Sequence, residues 1–389
     1  MCTNALREGL QFRMQNQKFL STSLIFVLGT LLAGCVGAPK KLPVCDGWGD
    51  GVAICDMMNP EDMSLLPRGD WIVVSEMAFV DFSEEADGPP ARAGRLTALR
   101  VSDRQTRRLF PTEWSESATA RPGWGEPECT TPPQKEFFSP HGIDVGRAQN
   151  GGLALAVVNH GSREAVEFFE VIQGVEPKVE WRGCVEMPAG AMPNDVALID
   201  RGGFFVTNFM PAVEGMNFAA LWNLTKISFG GVTGEVLRWR PGRGLFRVPG
   251  SEGSAPNGIE ASPDGREIFV AEWGGGAVYR MRLADDGTGT REEVSVDHSP
   301  DNLTWTREGN LLVAGQKGGA VSGLRCGSIR TGGCDIGYSV YRIDPETLEA
   351  TPVREGRGAA SVALEAGEDL YIGVFAGDQI ERVRIEAQD

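Results

Sequence analysis

The sequence predicts an all-β fold, a six-bladed β-propeller with four-stranded blades, and three observations carry that prediction. A pattern of one apolar residue, a polar turn rich in Gly or Asp, and an alternating apolar strand ending in small residues recurs along the chain. Its copies lie mostly ~45–65 residues apart, the size of a four-stranded blade with its loops. The 51 Gly and 23 Pro, with few long stretches of helical periodicity, suit short strands joined by tight turns.

The copies run from Met63 to Val74, Ile143 to Asn159, Val196 to Asn208, Ile259 to Glu272, Leu303 to Gly315 and Val362 to Val374, which makes six. Within each, apolar and polar residues alternate, as in Glu267-Ile268-Phe269-Val270-Ala271, so period-two strands are expected. Ser262-Pro263-Asp264-Gly265 and Arg307-Glu308-Gly309-Asn310 are turn tetrads that close hairpins. A ring of blades also removes most free sheet edges, which a β-sandwich or two smaller β domains, the competing arrangements, would leave exposed. No linker divides the chain after Asp46, so residues 46–389 read as one propeller domain.

Two segments fall outside the repeat. Residues 1–34 read as a signal peptide: Arg13 and Lys18 precede an apolar run, Phe19 to Gly34, too short to cross a bilayer. Leu32-Ala33-Gly34-Cys35 resembles the bacterial lipoprotein cleavage box, which implies lipid on Cys35, a tether over residues 35–45, and a cell-envelope location at the outer membrane. The distance of this signal from Met1 makes Met14 an alternative start. Asn208 to Leu224, with Met210, Met216, Phe218, Leu221 and Trp222, is apolar enough to be either packed core or a wall beside a site.

Composition narrows the function. Hydrophobic residues at 41% and charged ones at 23% describe a globular chain with a substantial core. A net charge of −16 excludes a phosphate-tracking nucleic-acid groove and favours a cationic ligand. After processing at Cys35, the cysteines are Cys45, Cys55, Cys129, Cys184, Cys326 and Cys334, an even set in an oxidising compartment. Many pairings are open in principle. Short loops favour Cys45 with Cys55 and Cys326 with Cys334, which leaves Cys129 for Cys184. No pair has the two-residue spacing of zinc ligands.

An acidic or amide residue precedes the first apolar residue of four copies: Glu61-Asp62, Asn194-Asp195, Asn257 and Asp301-Asn302. Innermost propeller strands start at the axis, so these oxygens converge, and a ring of carboxylate and amide oxygens is what Ca²⁺ takes. The same residues also serve as plain turn formers. His141 and His160 bracket one predicted hairpin, where they either pack or act as a proton relay.

Taken together, Ser139-Pro140-His141-Gly142-Ile143, Val157-Val158-Asn159-His160 with Val166-Glu167-Phe168-Phe169, Pro193-Asn194-Asp195, Asn257-Gly258-Ile259 with Ser262-Pro263-Asp264-Gly265, and Val296 through Asp301-Asn302 resemble the paraoxonase/arylesterase family. The likeness runs from about Glu61 onward. It implies a calcium-binding central tunnel with two ions. Glu61, Asn194, Asn257, Asp301 and Asn302 would hold a catalytic calcium, and Asp62, Asp195 and the Ile143 carbonyl a structural one. It further implies that His141, assisted by His160, activates water against a lactone or aryl ester, with a ligand carboxylate such as Asp301 or Glu61 as the alternative base. The family's disulfide to the last strand has no counterpart, since Leu370 to Phe375 has no cysteine nearby. The expected activity is therefore calcium-dependent hydrolysis of a lipophilic lactone or ester. Alternatives are a gluconolactonase-like sugar lactonase with one metal, and a noncatalytic ligand-binding propeller stiffened by calcium.

Overall fold

Alternation along the strands builds the molecule, because both faces of each blade are covered by a neighbouring blade. In blade 4, Ile268 and Val270 point toward blade 3 while Phe269 and Ala271 point toward blade 5. Both sets are buried, so the strand reads as a continuous apolar run rather than a half-polar one.

The computed structural model describes residues 40–78, 93–113, 118–213, 217–284, 287–327, 329 and 331–385. Six four-stranded antiparallel sheets form the blades. From the axis outward, blade 1 holds Pro60–Leu65, Trp71–Glu76, Arg95–Arg100 and Thr106–Phe110, and blade 2 holds Pro140–Arg147, Leu153–Asn159, Ala165–Ile172 and Lys178–Glu186. Blade 3 holds Pro193–Ile199, Gly203–Asn208, Glu235–Arg240 and Gly244–Arg247; blade 4 holds Pro256–Ala261, Glu267–Glu272, Ala277–Leu283 and Gly289–Ser295. Blade 5 holds Ser299–Trp305, Leu311–Gln316, Gly337–Ile343 and Ala350–Arg357. The six sequence copies coincide with the two inner strands of the six sheets.

Blade 6 joins the two ends of the fold: Ala360–Ala366, Asp369–Val374 and Ile380–Arg384 are completed by Val52–Ile54, whose Ile54 pairs with Ile380. Strand pairing therefore closes the ring without a disulfide to the last strand. Among the described residues, one two-stranded sheet lies outside the blades. Lys41–Leu42, expected in the tether, pairs with Gly333–Cys334. Backbone hydrogen bonds offered by that short partner hold the segment against the fold.

The core is divided by seams. Trp71, Phe138 and Trp181 fill the space between blades 1 and 2, Phe204 and Trp239 that between blades 2 and 3, and Tyr371 with Met63 that between blades 6 and 1. Disulfides join Cys45–Cys55, Cys129–Cys184 and Cys326–Cys334, with Cα–Cα separations of 5.6, 5.6 and 5.3 Å that suit the bond. Among the described residues no helix is long and apolar enough to cross a membrane. Among the described residues two α-helices stand in blade loops: α1, Phe218–Ser228 in blade 3, and α2, Gly319–Cys326 in blade 5. Helix α1 starts where the Asn217 side chain accepts the Ala220 N–H at 3.0 Å.

Candidate functional site

One local device places the site residues. All six innermost strands have a register shift at their first residues, between Pro60/Asp62, Pro140/Ile143, Pro193/Val196, Pro256/Ile259, Pro300/Leu303 and Ala360/Val362. Such a bulge leaves residues unpaired and re-aims their side chains. Proline suits the first position because it has no ladder donor to lose. The residues just after are Glu61-Asp62, His141-Gly142, Asn194-Asp195, Asn257-Gly258, Asp301-Asn302 and Ser361-Val362.

The axis is too narrow for six large side chains at one level. Large polar residues in blades 1, 3 and 5 therefore alternate with glycine in blades 2 and 4. A Cβ on Gly142 would overlap Asp195 and the Asn194 carbonyl, and one on Gly258 would overlap Asp301 and Asn302.

Glu61, Asn194, Asn257, Asp301 and Asn302 are all buried. Glu61 Oε1 accepts from Asn302 Nδ2 at 2.9 Å and lies 3.4 Å from His141 Nε2. Asp301 Oδ2 accepts from Gln316 Nε2, whose other partners are the Ala360 carbonyl at 2.7 Å and the Trp273 indole N–H, which reaches Gln316 Oε1 at 2.9 Å. Gln316 is thereby fixed at all of its polar groups. Four oxygens of the ring, Glu61 Oε2, Asn194 Oδ1, Asn257 Oδ1 and Asn302 Oδ1, are sealed from solvent and have no hydrogen-bond partner. Leaving such atoms unpaired costs about 1–3 kcal/mol each, so a cluster of them calls for a ligand. All are oxygens, the donor set of a hard cation.

The next residues differ. Asp62 accepts the Met63 N–H at 2.8 Å and the Ile143 N–H of blade 2 at 2.7 Å, one on each oxygen. Asp195 likewise accepts from Val196 at 2.7 Å and from Ile259 of blade 4 at 2.8 Å, and Asp144 accepts from Leu198 of blade 3 at 2.7 Å. Every carboxylate oxygen of Asp62 and Asp195 is thus engaged by a backbone amide. The second-ion set expected from the resemblance, Asp62, Asp195 and the Ile143 carbonyl, has no partnerless carboxylate oxygen. These acids tie neighbouring blades together, and each of their oxygens keeps a further lone pair, so the same contacts are compatible with a second ion.

Electrostatics along the axis follow from burial. Burial, then the Glu61 charge, pushes Asp301 up to about 8. Burial, with neighbouring carboxylates adding to it, raises Asp62 and Asp195 well above the usual range. Glu260 is raised in the same way, by burial and then by Asp144 and Asp195. The column is short of positive charge, which a cation among the carboxylates would supply.

His141 and His160 face each other with 2.9 Å between Nδ1 of the first and Nε2 of the second, and His160 Nδ1 lies 2.7 Å from Glu164 Oε2. The two rings meet edge to face. Burial lowers the His141 pKa, but the Glu61 charge and hydrogen bond outweigh it and the net direction is up. Beside the ring, a cavity of ≈ 280 Å³ is lined by Ile227, Trp273, Gly274, Ser299, Gly318 and Gly319. A larger one, ≈ 330 Å³, lies where the first and last blades meet, around Met57, Asn59 and Asp378, and neither cavity is lined by a ring residue. Helix α1 stands on this face, with Phe218, Leu221 and Trp222 exposed and Ala220, Asn223 and Ile227 buried. Cys35 lies outside the described residues.

Glu164, Gln316 and Trp273 escaped the sequence reading. Their partners lie in other strands or loops, and no local pattern marks them. The proline before each site residue in five blades was a legible signal for the ring itself.

The sequence profile of the SMP-30/gluconolactonase/LRE-like region matches residues 142–326. Among solved structures, a gluconolactonase from Xanthomonas campestris is similar at TM-score 0.51 and 17% identity, covering 90% of this chain and 99% of that one. A luciferin-regenerating enzyme is similar at TM-score 0.50 and 12% identity, covering 85% and 92%. No curated protein gives a significant match in sequence. At such identities the likeness to these structures is one of fold, the six-bladed propeller.

Proposed function

We propose that this protein is a calcium-dependent hydrolase of lactones or activated carboxylic esters. The main support is the group of four sealed, partnerless oxygens on the ring, Glu61 Oε2, Asn194 Oδ1, Asn257 Oδ1 and Asn302 Oδ1. Glu61, Asn194, Asn257, Asp301 and Asn302 would hold the ion, two carboxylates meeting its charge while the amides add dipoles. Bound there, calcium would polarise the substrate carbonyl and stabilise charge developing on its oxygen.

The chain's own part is proton handling. Glu164 accepts the His160 Nδ1 proton, so His160 Nε2 accepts from His141 Nδ1, and His141 Nε2 is left facing the ring, a tautomer assigned from the hydrogen-bond network. That nitrogen takes a proton from attacking water once Glu61 no longer holds one on it. Since the free imidazole is the base, activity rises with pH through the His141 titration. The cavity beside Trp273 and the apolar face of α1 suit a lipophilic acyl or leaving group.

A sugar lactonase of the gluconolactonase kind is the second reading, supported by the profile match over residues 142–326 and by a donor set suited to one ion. Hydrolysis of phenyl acetate, aliphatic lactones and gluconolactone, measured with calcium, after EGTA and after its restoration, tests both. The expected result is turnover that calcium restores and that Asn257→Ala and Asp301→Ala abolish, and the preferred substrate decides between the readings. Calcium binding by calorimetry with no turnover on the panel would leave a noncatalytic binding propeller instead. We also propose that lipid on Cys35 holds the domain at the outer membrane. Labelled palmitate incorporation that persists in Cys35→Ala would refute it.

A further inference from the structure

Arginines inside proteins are expected to meet carboxylates. Of the buried arginines here, Arg182 meets Glu170 and Arg280 meets Glu292, at 2.6 and 2.5 Å. Arg238 meets none. It is 6% exposed, its guanidinium lies on the Phe205 ring at 4.6 Å, and its Nε is sealed without a partner.

Arg238 belongs to the far side of the propeller. Innermost strands run from the oxygen ring to the opposite face, so the Ser262-Pro263-Asp264-Gly265 turn after Pro256–Ala261 marks that face. A Cβ on Gly265, whose φ is +67°, would stand 2.8 Å from Arg238 Nη2, so the glycine leaves room at the edge of the guanidinium. Arg240 follows two residues later on the same face of the strand, and Arg243 lies in the next turn, exposed and stacked on Phe246 at 4.3 Å. Among the described residues neither Arg240 nor Arg243 has a carboxylate partner. Burial, then the charges of Arg240 and Arg243, pushes Arg238 down to about 10. Three cations thus crowd together without compensation on a chain whose net charge is −16.

We propose that Arg238, Arg240 and Arg243 form a binding site for a phosphate-type oxyanion at the seam of blades 3 and 4, on the face opposite the oxygen ring. A guanidinium fork matches two phosphate oxygens, and two further arginines at the rim draw the anion in. Free phosphate esters and phospholipid headgroups present the same chemistry.

Calorimetric titration of the calcium-loaded protein with methyl phosphate at low salt tests the site. One saturable site is expected, weakened about tenfold or more in R240Q/R243Q, whose ester or lactone turnover stays unchanged. Arg238→Lys, which keeps the charge and loses the fork, is expected to weaken binding as well. Flotation with phosphatidylglycerol but not phosphatidylcholine vesicles, competed by methyl phosphate, identifies a headgroup as the source; methyl phosphate binding without flotation identifies a soluble ester. Absence of saturable binding, or binding unchanged in R240Q/R243Q, overturns the proposal.

Discussion

Asn194 and Asp195 are chain neighbours, both buried at the axis, yet their oxygens meet opposite fates. Asn194 Oδ1 has no partner, whereas both oxygens of Asp195 accept backbone N–H groups, one of them from the next blade. Glu61 and Asp62 repeat the contrast in blade 1. In blades 1 and 3 the bulge turns the first residue toward the ring and the second into the seam, whereas in blade 5 the second residue, Asn302, also presents a partnerless oxygen to the ring. Composition is similar at the two levels; connectivity is what differs. The outer level is prepared for a ligand, and the inner level acts as a row of pins that ties blade to blade.

The largest expected effect separates the ring from the base. His141→Gln should lower kcat by ~10³-fold, within the range of general-base catalysis, while calorimetric calcium affinity stays near that of the parent. Equal loss of both would merge the histidine pair with the ring. Next, Asp195→Ala should cost about 4 kcal/mol of folding stability, because it strands two buried amides at about 2 kcal/mol each. Asn257→Ala, one of the ligand-facing group, should leave calcium-free stability almost unchanged, and denaturant titration of the pair compares them directly.

His298 sharpens the comparison, since its Nε2 is also sealed and partnerless but lies away from the ring. Its Nδ1 meets Ser339 Oγ at 2.9 Å and Asp297 at 3.3 Å, and burial depresses it to about 4 from 6.5. The unfolded chain therefore takes up a proton before the folded one does. Stability should fall by about 3 kcal/mol as pH drops from 6.5 to 4, a slope that His298→Gln removes. The smallest effect concerns Asp301. Standing at about 8 without a cation, it is mostly protonated at pH 7, so calcium binding should release close to one proton. Calorimetry in buffers of different ionisation enthalpy counts it, and no release would mean that Asp301 stays outside the ion's shell.

Much of this was legible in the sequence because a propeller repeats itself. Six strand pairs follow from the repeat itself, although strands such as the one through residues 268–271 are apolar on both faces rather than alternating, and the ring residues follow from their place before each apolar run. The closing strand Val52–Ile54 was not legible, since it is short and owes its existence to Ile380–Arg384 at the other end of the fold. Helix α1 settles only half of its reading. Phe218, Leu221 and Trp222 suggested core or wall; they are exposed, which excludes core, and small Ala220 packs inward instead. Glu164 and Gln316 acquire meaning only when distant strands meet.

Blade 6 carries one further consequence. With Ile54 paired to Ile380, almost the whole domain becomes a single covalent loop held shut by three residue pairs. Closing so long a loop is entropically the most expensive contact in the ring, and the pairs that shut it are the natural place for the ring to breathe. The Cys45–Cys55 bond, the Cys45 N–H on Asp378, and Arg354 spanning Asp50 and Glu381 all gather at this latch. Amide exchange should accordingly be faster along Val52–Ile54 than in any innermost strand, and faster still once the nearby disulfide is reduced.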